Sequence, residues 1–299
     1  MKLISVWGSP GGGKTTISLE LAKFISQTTE KNVVLIFTED QADPLTYLFP
    51  KLDQEGGSLG HIVATAGFNQ EAIKKTLVNH KKNKNLAFLG YRDGESKRRY
   101  PDMVESQVVD LFIALGPLFD YCIVDGQSNI SNDLITQYAL RYGEVVMLGG
   151  GDLKSIAFFK SISSQIQDYQ GIRNARHAVN NPWDFESWLM VAEKYEEKVE
   201  YFFPYSIDLQ LGYLEGTSIN PLDHNRHNKE LLDEIDELAN QLMEIDSKNE
   251  NIAVKKFNKR FKVSKRTKKE KAPKPQKEKK MGHLFSFGRN KIKEDLENE

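Results

Sequence analysis

Cysteine is nearly missing from this chain. Cys122 is the only one in 299 residues, which excludes a disulfide framework and a cysteine-ligated metal cluster. No apolar run approaches the length of a membrane-spanning helix. No apolar leader precedes the first strand-like segment, so the expectation is a cytoplasmic body. The six histidines show no metal-ligand spacing, and His224 and His227 fall in a polar stretch. No internal repeat is visible.

Charge is what the chain has in quantity, and it is unevenly placed. The net charge of −1 conceals an acidic body, with 24 Lys/Arg against 36 Asp/Glu over residues 1–250. Residues 251–293 carry 17 Lys/Arg against Glu270 and Glu278 only. An acidic body followed by a basic tail predicts an anionic partner for the tail. Hydrophobic residues at 39% suffice for a core, and the length fits one large domain or two small ones.

The most informative stretch is residues 2–20, KLISVWGSPGGGKTTISLE. Leu3, Ile4, Val6 and Trp7 read as a buried strand, and Ile17, Leu19, Leu21, Ala22 and Ile25 read as a helix. Between them, Gly8 to Thr15 fit G-x-x-x-x-G-K-S/T in the strand–turn–helix context that this phosphate-binding motif requires. Gly11, Gly12 and Gly13 let backbone N–H groups turn onto a phosphate. Lys14 brings a point charge to the terminal phosphates, and Thr15 offers a hydroxyl to Mg²⁺. The helix N-terminus faces the same anion. Gly8, Pro10, Gly11, Gly12, Gly13, Lys14, Thr15 and Thr16 are therefore the expected binding residues of a nucleoside-triphosphate site.

Further strands are predicted at Val33–Phe37, Leu86–Leu89, Tyr121–Asp125, Glu144–Leu148, Arg176–Asn180 and Val199–Phe203, with a short one over His61–Thr65. Helices are expected from Pro44, over 69–81 with Asn69 as cap, over 103–116, from 132 to 142, over 153–168 with Asp152 as cap, and over 227–246. The charged loop 91–101 reads as solvated. Trp183, Phe185 and Trp188 fall at helical spacing and read as core. This alternation predicts an α/β fold, a doubly wound, mostly parallel sheet with helices on both faces and the phosphate loop at its carboxyl edge. The body is expected over 1–246 and a flexible lysine-rich linker over 247–280. In the tail segment 281–299, Met281, Leu284, Phe285 and Ile292 share one helical face among cations, the pattern of a short helix at a membrane interface.

Hydrolysis needs a carboxylate behind the Mg²⁺ water shell and a group to orient water. Asp125, at the carboxyl end of its strand, is the candidate for the first. Glu39 and Asp40 are candidates for the second; the sequence leaves open which of them faces the phosphate, because neighbours on an extended chain point to opposite sides.

The order of phosphate loop, strand-end acids with Gln41, strand-end Asp125 and Asp152-Leu153-Lys154-Ser155 resembles the MinD/ParA group of P-loop ATPases. Asn180-Asn181 and Pro204-Tyr205-Ser206-Ile207-Asp208 extend the likeness over residues 1–245. The long segment between Gln41 and Asp125 looks most like the CpaE/TadZ branch, which helps position pilus or secretion machinery. The resemblance implies ATP and Mg²⁺ as ligands, held in part by Thr15 and Asp125, and an ATP-dependent homodimer. It implies catalytic roles for Lys14, Glu39 or Asp40, and Asp125, adenine recognition by Asn180 or Asn181, and Pro204 and Tyr205 beside the base. Two departures bear on turnover. Ser9 stands where the group has a signature lysine that crosses the dimer, with Pro10 in place of the first glycine, and Glu39 takes the place of the water-facing aspartate. Slow hydrolysis is therefore expected.

The leading expectation is a nucleotide switch whose tail attaches to an anionic membrane and whose cargo is a pilus, secretion or conjugation machine. A DNA-partition ATPase with a DNA-binding tail is the alternative. A P-loop kinase is a further reading; the similar tyrosine kinases end in a tyrosine cluster, and none follows Tyr213. A scaffold that binds nucleotide for structure alone is the last. Lys97-Arg98-Arg99 is noted as a possible substitute for the signature lysine.

Overall fold

The computed structural model describes residues 1–49, 58–64, 68–180, 192–195 and 198–243. The readings of Asn181, Trp183, Phe185 and Trp188, and of everything beyond residue 243, lie outside these residues. By contacts the chain divides into Met1–Asp246 and Ser247–Glu299, and all described residues belong to the first unit.

Eight strands form one sheet: β1 (Lys2–Gly8), β2 (Val33–Phe37), β3 (Val78–Asn79), β4 (Leu86–Leu89), β5 (Tyr121–Asp125), β6 (Glu144–Gly150), β7 (Arg176–Asn180) and β8 (Val199–Phe203). Their order is β3-β4-β2-β5-β1-β6-β7-β8, parallel throughout except that β3 runs antiparallel to β4. The doubly wound α/β fold expected from the sequence is therefore present. Strand β1 lies between β5 and β6, neither of which is its neighbour in sequence. The chain winds outward to either side of it, so the crevice at its carboxyl end is a topological switch point, the place where such sheets hold ligands.

Alternation along β2 shows why the strands are apolar on both sides. Val33, Leu35 and Phe37 pack against Ile17, Leu21 and Ile25 of helix α1 (Lys14–Thr28). Two residues between them, Val34 and Ile36, face the opposite layer. That layer comprises α3 (Leu59–Ala64), α4 (Gln70–Thr76), α5 (Glu105–Leu115) and α6 (Leu134–Tyr142). The short α2 (Pro44–Leu48) follows β2, and α7 (Leu153–Ile166) follows β6, its Phe158 and Phe159 lying 5.6 and 6.3 Å from the ring of Trp7. Helices α8 (Ile207–Glu215) and α9 (Lys229–Leu242) complete the described body. Leu231, Ile235, Leu238 and Leu242 put the buried stripe of α9 against α1.

Three local readings need correction. Residues 61–64 are not a strand: Leu59–Ala64 is a helix that buries Leu59, Ile62 and Val63, and the Ser58 hydroxyl caps it by accepting from His61 N. A short apolar run does not distinguish the two periods. The helix capped by Asn69 stops at Thr76, because Val78 and Asn79 pair with β4. The turn that follows is fixed by His80, whose Nδ1 accepts from Lys82 N and Asn83 N while Nε2 lies 3.1 Å from Ile219 O. Loop 91–101 is ordered by its own contacts rather than only solvated. It contains a 3-10 turn at Lys97–Arg99, and Glu95 accepts from the Ser58 and Tyr100 hydroxyls at 2.7 and 2.5 Å.

Helix α1 also carries a buried ion pair. Glu20 and Lys23 lie 2.6 Å apart with both side chains 4% exposed. The Lys23 ammonium donates to the carbonyls of Ser218 and Asn220 at 2.9 Å, which ties the segment after α8 to α1. Among the described residues, no helix is long and apolar enough to cross a membrane.

Candidate nucleotide site

The site starts where β1 ends. Gly8 passes so close to β6 that a Cβ on it would lie 1.8 Å from the Leu148 carbonyl oxygen. Gly13, at the start of α1, adopts φ 85°, and a Cβ there would meet the Asn180 amide at 1.9 Å. Both positions require glycine. Between them the loop folds on itself, with Gly12 N donating to Ser9 O.

Lys14 is directed along this loop, its ammonium donating to Ser9 O at 3.1 Å and to Ser128 Oγ at 2.6 Å. Burial lowers its pKa, while the negative charges of Asp125 and Glu39 act to raise it. Asp125, at the end of β5, is 4% exposed. It accepts from the Thr15 hydroxyl at 2.6 Å and from Ser18 Oγ at 3.5 Å. Burial pushes the Asp125 carboxyl up to about 6, against the opposing pull of the Thr15 hydrogen bond and of Lys14. A buried carboxylate held only by hydroxyls is under-neutralised, and hard oxygen donors of this kind suit Mg²⁺. Among the described residues no three His, Cys, Asp or Glu side chains converge. The Thr15 hydroxyl and the Asp125 carboxylate therefore fit a Mg²⁺ ion, a metal that one or two protein oxygens suffice to hold.

The two acids after β2 separate clearly. Glu39 turns its carboxylate back to accept from Asp40 N and Gln41 N at 3.2 and 3.0 Å, and its charge acts on both Lys14 and Asp125. Asp40 is committed elsewhere. Its Oδ1 accepts from Gln127 Nε2 at 3.3 Å and its Oδ2 from Lys97 N at 2.8 Å.

Ser9 is fully buried and faces inward, its hydroxyl 2.8 Å from Ser155 Oγ. Ser155 in turn accepts from Gly150 N at 2.9 Å, and Asp152 caps α7 by accepting from Ser155 N at 2.7 Å. The side chain at this position thus clasps the phosphate loop to the start of α7 and is not presented to solvent. Pro10 and Gly11 are the exposed tip of the loop, and Thr16 follows Thr15 on α1.

Asn180, at the carboxyl end of β7, is brought to the loop, its amide donating to Gly12 O at 3.2 Å. Pro204 and Tyr205 follow β8, which is three strands from β1 and hence about 14 Å away. Tyr205 is 53% exposed. Ser206 caps α8 by accepting from Leu209 N, a helix that sequence periodicity did not mark.

Three contributors were not singled out as site residues by the sequence. Ser128 receives Lys14, and Gln127 bridges Thr38 O and Asp40; their only signal was the Gly-Gln-Ser that follows Asp125. Tyr47 stacks edge-on against Tyr213 at 6.1 Å. Burial and the charge of Asp125 push its phenol up to about 12, with Thr15 as its hydrogen-bonding neighbour. Nothing in the pattern of α2 separates it from a packing residue.

The sheet order, with the glycine-rich loop at its switch point, is a doubly wound α/β fold shared with solved structures of MinD and ParA proteins. Among solved structures, the chain is similar to the MinD cell division protein of Aquifex aeolicus, at TM-score 0.61 and 16% identity over 79% of this chain and 96% of that one. It is likewise similar to a ParA family ATPase from Chlorobium tepidum, at TM-score 0.62 and 16% identity over 80% and 99% of the two chains. A third is the septum site-determining protein MinD of Pyrococcus horikoshii complexed with Mg-ADP, at TM-score 0.60 and 15% identity over 85% and 99%. At this identity the likeness shows the fold. No protein-family model and no curated protein matches the chain.

Proposed function

We propose that this chain binds Mg·ATP at the carboxyl edge of β1 and works as a slowly hydrolysing, MinD/ParA-like switch. The observation that carries this reading is the convergence of Lys14, Thr15 and Asp125 at the switch point, with Asp125 under-neutralised. The Mg-ADP in a neighbour of the same fold supports it.

In this reading Lys14 leaves Ser128 for the terminal phosphates, and Gly11–Thr16 supply backbone N–H groups. Thr15 and Asp125 would hold Mg²⁺, which would supply charge neutralisation to the phosphates. Glu39 orients the attacking water, while Asp40 positions the surrounding loops through Gln127 and Lys97. Asn180 turns from the loop to the base, beside Pro204 and Tyr205. The inward Ser9 supplies no cation across a dimer, which supports slow turnover. ATP would join two copies, and the basic amphipathic segment 281–292 would then attach the pair to the inner face of a membrane. Doubling the tails raises avidity without any new contact. The cargo would be a pilus, secretion or conjugation machine, in keeping with the CpaE/TadZ pattern.

The test is co-sedimentation with anionic vesicles, full chain against a 1–247 truncation, with and without Mg·ATP, and with Lys14→Ala as the nucleotide-blind control. Pelleting that rises with ATP, needs the tail and is absent in Lys14→Ala is the expected result. Salt-sensitive binding to duplex DNA through the same tail, without vesicle binding, would replace this reading with a partition ATPase.

A further inference from the structure

The phosphate site as described has one cation, Lys14, among the carboxylates Asp125 and Glu39. Phosphoryl transfer to water spreads charge over the terminal oxygens and generally uses a second cation, often an arginine delivered by a loop. The structure offers such a loop. Lys97 N donates to Asp40 at 2.8 Å, and Asp40 is joined through Gln127 to Thr38, whose hydroxyl donates to the Asp125 backbone carbonyl at the end of β5. The Lys97 ammonium lies 3.4 Å from Asp133 and over the Tyr91 ring at 5.8 Å. The Ser96 hydroxyl accepts from Arg98 N at 3.3 Å and caps the turn. Glu95 ties both ends of the loop, accepting from Arg92 N and from the Tyr100 hydroxyl.

A solvated loop needs none of these anchors. Their joint result is a fixed turn at the carboxyl edge that presents Arg98 and Arg99 to solvent. Burial and Glu95 raise the Tyr100 phenol above its ordinary value, and the charge of Arg99 acts against them, so Arg99 already bears on Tyr100. Arg98 has no side-chain partner among the described residues. Its Cα is one residue, about 3.8 Å, beyond Lys97, whose side chain is already spent on Asp133.

We propose that Arg98 is the second cation of the phosphate site, a catalytic residue that contacts the terminal phosphate as charge develops on it. This deepens the nucleotide reading and rests on it. In the step served, a water oxygen bonds to the terminal phosphorus as the bond to the bridging oxygen breaks. The electron pair of that bond leaves on ADP, and a proton of the water passes to solvent by way of Glu39.

The test compares the full chain with Arg98→Ala, Arg98→Lys and Arg99→Ala, measuring ATP affinity by calorimetry, turnover, and affinity for Mg·ADP with aluminium fluoride. Arg98→Ala should lower turnover about a hundredfold and weaken the fluoride complex by a similar factor, with ATP affinity changed less than about threefold. Arg98→Lys should recover part of each, since a lysine keeps the charge but not the planar fork, and Arg99→Ala should match the parent. Mixing Arg98→Ala with Glu39→Gln locates the arginine. Activity that returns on mixing means it acts in the partner copy's site, and no return means it acts in its own; either supports the role. Unchanged turnover and fluoride affinity in Arg98→Ala would overturn it. So would ATP affinity falling as far as turnover, or a parent chain that binds ATP without any turnover. The nucleotide site itself fails only if the parent chain binds no ATP.

Discussion

Helix α1 borders two buried carboxylates that the fold treats in opposite ways. Glu20 and Asp125 are each 4% exposed, and burial raises the pKa of both. Glu20 has a lysine 2.6 Å away, itself tied down by two carbonyls. Asp125 has only the hydroxyls of Thr15 and Ser18, while the ammonium of Lys14 is spent on Ser9 O and Ser128. The first acid is neutralised within the chain and closes a structural joint. The second keeps a charge for which the described chain supplies no contacting cation, and that is the arrangement of a site for one.

Removing the counterion from the neutralised acid should have the largest effect. Lys23→Met strands Glu20 and two carbonyls, and a loss of about 3–5 kcal/mol is expected in urea unfolding at pH 7.5. The loss should shrink as pH falls and Glu20 takes a proton. A Glu20→Leu/Lys23→Met pair should recover most of it. If it does not, the carbonyl contacts of Lys23 matter more than the charge, and the contrast between the two acids weakens.

At Asp125 the sign reverses, because here the charge itself is the cost. Its folded pKa of about 6 exceeds the unfolded 3.8. The folded state therefore holds the proton more tightly, and stability falls as pH rises through the interval between these values. Asp125→Asn should stabilise the nucleotide-free chain at pH 7.5 by up to about 3 kcal/mol, and the gain should vanish near pH 3.5. Mg²⁺-dependent nucleotide affinity should fall in the same variant. A gain of equal size at both pH values would mean packing, not charge, and Asp125 would lose its distinction from Glu20.

Much of this frame was legible in the sequence, for physical reasons. Val33–Phe37 and Tyr121–Asp125 are apolar on both faces, which only a doubly covered parallel sheet tolerates, and Gly8 to Thr15 combine residue types that few other roles require. The acid at the end of β5 followed from position alone. Less legible were features that depend on pairing between distant segments. Whether Glu39 or Asp40 bears on Lys14 was settled by Gln127 and Lys97, 87 and 57 residues away from Asp40. The residues His61–Ala64 have an apolar pattern too short to choose a period. The inward turn of Ser9 is set by Ser155, on another strand's connection. The charged loop around Lys97 looked solvated because its anchors, Ser58, Asp40 and Asp133, are spread along the chain.

The smallest test asks whether a single hydroxyl shares in holding the charge. Ser18 Oγ lies 3.5 Å from Asp125 Oδ1, a long contact, two residues before Glu20 on the same helix. Ser18→Ala removes one of the two hydroxyls that hold the carboxylate and leaves Thr15 in place. A loss of about 0.5–1 kcal/mol is expected at pH 7.5, below the usual range for a hydrogen bond to a charged acceptor because the contact is long. At pH 3.5 the acceptor is neutral and the loss should at least halve. In the Asp125→Asn background it should be small at both pH values, since the charge is gone. An equal loss in all four conditions would assign Ser18 to packing in α1. The asymmetry between the two acids would then rest on Thr15 alone.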